Sequence, residues 1–257
     1  MNIFVCVKQV PDTATKIKLN SDSSGIDSNG VKWILSPYDE LAIEEALRLK
    51  EKKAGSSVTV VSAGPERVKE SIRTALAMGA DTGVHIDLNE KADNYLTAKA
   101  LAALIRSEEN VDLIFTGKEA ADDGASQVSQ LLASFLEWPC PAVVLAIEYA
   151  DQSIKAKREV EGGAIENIEC PLPAVITAQK GLNEPRYASL PNIMKAKKKE
   201  IRAVSMADLG VTEADQKIRY KNYTLPAAKA AGKKIEGDAA TQAKELVKLL
   251  REVAKVI

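Results

Sequence analysis

Short β-branched apolar runs alternate with amphipathic stretches of helical period through the first 138 residues. That alternation limits the fold more than any other feature of the chain. The runs at 3–7, 58–61, 84–86 and 111–116 are nearly unbroken in apolar character, as strands covered on both faces are. The stretch Ser36-Pro37-Tyr38-Asp39 reads as a helix start, with Ser36 as N-cap and proline at the first helical position. Tyr38, Ala42, Ala46 and Leu49 then share one face before Gly55. A second helix carries Val68, Ile72, Ala75 and Leu76 and stops at Gly79. Helical patterns at 94–105 and 127–138 complete the series. The expected architecture is α/β: a mostly parallel open sheet with helices on both faces.

The remaining segments change character. Val10-Pro11-Asp12 breaks the first strand, and 17–19 with 31–34 suggest a small surface hairpin. After Pro139 three strand patterns, at 142–149, 154–161 and 164–168, follow without helices, which predicts antiparallel pairing. A further buried strand is expected at 173–178. Residues 181–200 show too little apolar periodicity for an element. Residues 217–237 are rich in Ala, Lys and Gly and read as an extended arm. A final amphipathic helix starts near Asp238, with Leu246, Leu250 and Val253 on one face. The expected division is an α/β nucleotide-binding domain at 1–216, including 181–200, and a C-terminal arm and helix at 217–257 that docks on a partner; the competing reading is that the helix packs on its own sheet.

Several function classes are excluded early. The net charge is -1, so no global field attracts nucleic acid or an anionic membrane. No apolar run approaches the roughly 20 residues needed to span a bilayer. The first apolar run begins almost at Met1, so we expect no targeting peptide and a cytoplasmic location. Cys6, Cys140 and Cys170 lie far apart without metal or redox spacing, and Cys6 is expected to be a small buried hydrophobe. His85 is the only histidine and falls in an apolar strand, where a structural role is expected; one histidine builds no triad or histidine-metal set. Glu44-Glu45 and Glu108-Glu109 read as solvated helix surface. No constellation for bond-breaking catalysis emerges.

One loop stands out. Gly117-Lys118-Glu119-Ala120-Ala121-Asp122-Asp123-Gly124-Ala125-Ser126-Gln127-Val128 leads from a strand end into a helix start. Ligands of open parallel sheets bind outside the carboxyl ends of the strands. Free N–H groups at a helix start favour phosphate there. Gly117 and Gly124 permit close backbone approach, and Ser126 and Gln127 add side-chain donors. The competing reading is a structural loop in which Asp122 or Asp123 caps the helix. Cys6, Ser36, Pro37, Tyr38, Asp39 and Ala63 fall at other strand ends and helix starts of the same edge. A second feature is Tyr187-Ala188-Ser189-Leu190-Pro191-Asn192-Ile193-Met194-Lys195, apolar groups followed by a lysine run. Apolar anchors beside a basic rim suggest protein recognition rather than nucleic acid; the competing reading of the lysine run is a solvated surface.

These residues carry a resemblance. Ala156-Lys157-Arg158-Glu159-Val160-Glu161-Gly162-Gly163, with Glu166, Ile168 and Pro173-Ala174-Val175-Ile176-Thr177, resembles the signature of the electron transfer flavoprotein β-subunit family. The stretch from Asn183 to Lys195 resembles that family's recognition loop. Thr74 to Asp81 and Val5 to Val10 are also family-like. The likeness spans the chain and is weakest in the C-terminal arm. It implies an adenine-nucleotide α-hydrolase-like sheet and a heterodimer with an α subunit that holds most of the FAD. It also implies a structural AMP lined by Cys6, Ser36 to Asp39, Ala63 and 117–128. The implied role is electron carriage, not enzyme catalysis, from flavin dehydrogenases such as acyl-CoA dehydrogenases to a membrane quinone oxidoreductase. A flavin-bifurcating branch holds a second FAD in place of AMP, but the loop here is closer to the AMP pattern. The chain departs from several relatives at Thr13, where they carry an aromatic near the flavin. A stand-alone adenine-nucleotide sensor is the competing class.

Overall fold

The computed structural model describes residues 1–228 and 231–257. Among the described residues, numbered in chain order, nine strands form one sheet. Its spatial order is β11 (Ile201–Ser205), β5 (Thr82–Asp87), β4 (Ser57–Gly64), β1 (Asn2–Cys6), β6 (Val111–Gly117), β10 (Ala174–Ala178), β7 (Val144–Tyr149), β8 (Ser153–Glu159) and β9 (Ile165–Pro171). Pairing is parallel from β11 to β7 and antiparallel through β7, β8 and β9. The α/β class, the buried strands and the antiparallel segment are as expected.

Alternation along β1 builds two cores. Ile3 and Val5 pack with α1 (Pro37–Lys52) and α2 (Lys69–Met78) on one face. Phe4 and Cys6 pack with α3 (Asn94–Ser107) and α4 (Val128–Leu136) on the other. Each fully buried side chain of this size contributes about 1.5–3 kcal/mol, so a period-two pattern with both faces filled leaves β1 one register. The chain runs from β1 through α1 to β4 and through α2 to β5, then α3 returns it to β6 on the far side of β1. The order of strands therefore reverses between β1 and β6, with both carboxyl ends on one edge.

Several local expectations are corrected. The strand β3 (Trp33–Leu35) pairs with β2 (Gln9–Pro11), not with 17–19, and Leu19 meets Ile26 in an isolated bridge. The first strand does end, at Cys6; Val10 and Pro11 lie in β2 of this separate two-stranded sheet, with Val10 fully buried. Residues 181–200 are not structureless: α5 (Leu190–Lys198) forms there, its Ser189 hydroxyl accepting from the Asn192 N–H. The edge strand β11 follows it. Ser36 starts α1 by position, but its side chain makes no capping bond and its Oγ is buried without a partner.

Glu44 and Glu45 are buried rather than solvated, at 3% and 7% exposure. Glu44 takes Arg48 at 2.7 Å and Arg186 at 2.8 Å, and Glu45 accepts from Tyr149 and Asn183. Burial works against the Glu44 charge, and the hydrogen bonds from Arg186 and Arg48 overcome it, holding the carboxyl below its ordinary range. Glu108 is partly buried and paired with Arg202, whereas Glu109 is exposed.

The C-terminal region is anchored before it leaves. Met206, Leu209 and Val211 pack on the core under α3 and α4. Asp93 caps α3 through Oδ1 and accepts the Lys217 and Ile218 N–H groups on Oδ2, both at 2.7 Å. The predicted arm at 217–237 includes residues 229–230, which lie outside the described residues. The final helix, α6 (Ala239–Leu249), is capped by Asp238 and buries no side chain. No described helix is long and apolar enough to cross a membrane.

Candidate functional site

At the reversal of strand order, Asp39 ties three elements together. Its Oδ2 accepts the Lys8 N–H at 2.7 Å and its Oδ1 accepts the Gly117 N–H at 2.9 Å. The ends of β1 and β6 are thus pinned to the first turn of α1. Burial pushes the Asp39 carboxyl up to about 7, against the pull of those two N–H donors and the Lys8 ammonium. Gly117 is required here by space: a Cβ would lie 2.5 Å from Asp39 Oδ1 and 2.7 Å from Tyr38 Cβ. On the other side of β1, the Ser62 hydroxyl donates to the Val7 carbonyl at 2.8 Å, tying in the end of β4 beside Ala63.

The loop from Gly117 to α4 is held by charge and turns. Lys8 Nζ bridges Asp122 at 2.8 Å and Asp123 at 3.1 Å. Partial burial opposes the Lys8 charge, and the two carboxylates overcome it, keeping the ammonium above its ordinary pKa. Neither aspartate caps α4. Its N-cap is Gln127, while Asp123 Oδ1 accepts from the Ala125 N–H. Gly124 and Ser126 both have positive φ, 57° and 53°. Ser126 is a non-glycine residue in a sparsely populated region. The first-turn N–H groups of α4 have no intrahelical partners, as at any helix start. Ala121 is exposed at the turn, Val128 packs against the core, and Lys118 Nζ lies 5.0 Å from the Tyr38 ring.

The structure therefore brings Ser36 to Asp39, Ala63 and 117–128 to one edge of the sheet. Cys6 shares that edge by its backbone, but its side chain is 7% exposed within the core. Burial, then the neighbouring Asp39 charge, pushes its thiol up to about 12, which removes it as a nucleophile. The donors present fit an anionic nucleotide: helix-start amides, the Ser126 hydroxyl and the Gln127 amide, with Ser36 Oγ a buried polar atom still lacking a partner. His85 is structural, its Nε2 donating to the Gly64 carbonyl at 2.8 Å. Two surface hollows, of about 350 Å³ beside β7 to β9 and about 490 Å³ beside residues 12–32, are lined by none of these residues.

The second predicted surface is continuous. Tyr187 is 100% exposed, Leu190 78% and Met194 58%; Pro191, Ile193 and Lys195 are also exposed. Sequence reasoning missed how this surface is anchored. Glu44, Arg48 and Glu51 are spaced one helical turn apart on α1; Glu44 and Glu51 bind Arg186, Arg48 binds Glu44 and the Glu184 carbonyl, and Arg73 reaches the far end of α5. The i, i+4, i+7 spacing of those α1 charges was the available signal.

Residues 24–209 match the electron transfer flavoprotein domain family. Over 260 aligned positions the chain is 42% identical to the electron transfer flavoprotein subunit beta of Bos taurus, covering 100% of this chain and 99% of that one. It is 44% identical to the subunit beta of Bacillus subtilis over 262 positions and 41% identical to that of Bradyrhizobium diazoefficiens over 257, with both chains fully covered in each case. Likeness of this extent and strength, over the full length of the chain, establishes that the chain belongs to the electron transfer flavoprotein β-subunit family.

Proposed function

We propose that this chain is the β subunit of a heterodimeric electron transfer flavoprotein, binding a structural AMP and helping to enclose the FAD held mainly by an α subunit. The observation that carries the reading is end-to-end similarity to proteins named as β subunits. The reversal edge supports the nucleotide. The amides opening α4 meet a phosphate, Ser126 and Gln127 supply further donors, and the Lys8–Asp122–Asp123 clip holds the loop in place. AMP does no chemistry there; a ligand bound only by the native state stabilises that state by mass action.

FAD supplies the redox chemistry when bound. The chain's own residues position and present. The α5 surface offers Leu190, Ile193 and Met194 to a partner, and the lysines at its end steer acidic surfaces. The electron donors are flavin dehydrogenases such as acyl-CoA dehydrogenases, and the acceptor is a membrane quinone oxidoreductase. The exposed α6 and its arm dock on the α subunit. The deciding measurement is bound FAD and AMP per purified α/β heterodimer, with one of each expected. Two FAD and no AMP would replace this reading with a bifurcating flavoprotein. A stable lone chain that acquires no flavin on co-expression with the α subunit would replace it with an adenine-nucleotide sensor.

A further inference from the structure

The helix α5 poses a stability problem. It has nine residues, and an isolated helix of that length is not stable in water. Its only buried side chain is Ala196, while Leu190 and Met194 face solvent. Apolar packing of the helix itself is therefore confined to Ala196, which sits in the core beside α2.

Polar clamps hold both ends. On the approach side, Arg186 binds Glu44 through its backbone N–H, Nε and Nη2, and binds Glu51 through Nη1 at 2.5 Å and Nη2 at 3.2 Å. At the far end, Arg73 of α2 extends Nη1 to the carbonyls of Ala196 at 2.9 Å, Lys197 at 3.2 Å and Lys199 at 3.4 Å. Those carbonyls are the acceptors that a helix C-terminus leaves open, and a cation there is favoured by the helix dipole. Lys195, Lys197 and Lys198 crowd the same end with like charge, so the contact depends on the geometry of the guanidinium rather than on a shortage of cations. Lys199 turns back to the Ala80 and Asp81 carbonyls.

We propose that Arg73 is a positioning residue: it fixes the C-terminal end of α5 against α2 and so pre-organises the exposed face of α5 for docking. This rests on the docking role proposed above. A surface already ordered before encounter loses less freedom on binding. Releasing Arg73 raises the cost of docking without touching the partner.

The test uses the intact α/β heterodimer with wild-type, Arg73→Ala, Arg73→Lys and Leu190→Ala chains. Hydrogen exchange is read over residues 190–199, and KM and kcat for the heterodimer are read with an acyl-CoA dehydrogenase as donor. Arg73→Ala is expected to speed exchange in 190–199 and to raise KM roughly fivefold, the equivalent of about 1 kcal/mol, with kcat, bound FAD and exchange in β1, β4 and β6 at parent values. Arg73→Lys is expected to recover part of both effects. An unchanged KM for Arg73→Ala, beside a raised KM for Leu190→Ala, overturns the positioning role and leaves docking intact. Faster exchange throughout the sheet, or lost FAD, assigns Arg73 to general stability instead. Unchanged KM for Leu190→Ala removes the docking surface itself, and the inference with it.

Discussion

Asp39 divides its two oxygens between backbone groups 31 and 78 residues away, and this gives it a pH signature. Its carboxyl is raised by burial to about 7 in the folded chain, against an ordinary value of 3.8. The native state therefore holds a proton that the unfolded chain has released. The contribution is fully present below pH about 4 and is lost as pH rises through 7, on the order of 4 kcal/mol in all. Urea titrations between pH 5 and 8 are expected to show stability falling with pH, and Asp39→Asn is expected to flatten that slope. The same substitution leaves one of the two N–H groups facing an amide nitrogen, at about 1–3 kcal/mol. A slope that persists in Asp39→Asn would assign it to other groups. Gly124 is a separate case. Its φ of 57° and open surroundings mean that Gly124→Val strains only the loop backbone. The expected result is less AMP in the purified heterodimer; unchanged AMP content and melting temperature would place the nucleotide elsewhere. The sequence showed Asp39 as an acid at a helix start. It could not show the two long-range donors, because nothing local encodes them.

Helices that bury a stripe declare themselves by period, and α1 to α4 were legible for that reason. The helix α5 was not, since Ala196 is its one buried side chain. The same property makes it testable as a docking element: Leu190→Ala is expected to lower dehydrogenase-to-flavin transfer severalfold, a loss of about 1–2 kcal/mol. Bound FAD and melting temperature should stay at parent values, and a large drop in melting temperature would mark Leu190 as core instead. The strand β3 shows a different limit. Alternation at 31–34 correctly signalled a strand but not its partner, because pairing depends on what lies beside it in space. Glu44 and Glu45 read as surface because a carboxylate on a helix usually is. Arg186, Tyr149 and Asn183 arrive from more than a hundred residues away to make burial tolerable.

For the whole molecule, the strand-order reversal was legible as a loop at a strand end, whereas the point at which the C-terminal region detaches was not. Val211 is 2% exposed against the core, so a cut after Met206 removes core as well as arm. A cut after Tyr223 preserves the Asp93 anchor at Lys217 and Ile218. The shortened chain is expected to unfold near the parent temperature and to lose co-purification with the α subunit. Retention of the complex would show that the arm and α6 are dispensable for assembly. The exposure of α6 has one more consequence. Leu246, Val247 and Val253 are 48%, 41% and 73% exposed, and Val256 and Ile257 extend the apolar surface to the chain end. A copy synthesised in excess of whatever covers that surface offers it to chaperones, proteases and other orphan copies. With α6 docking on the α subunit as proposed, the ratio at which the two genes are translated becomes a determinant of how long each newly made β chain survives.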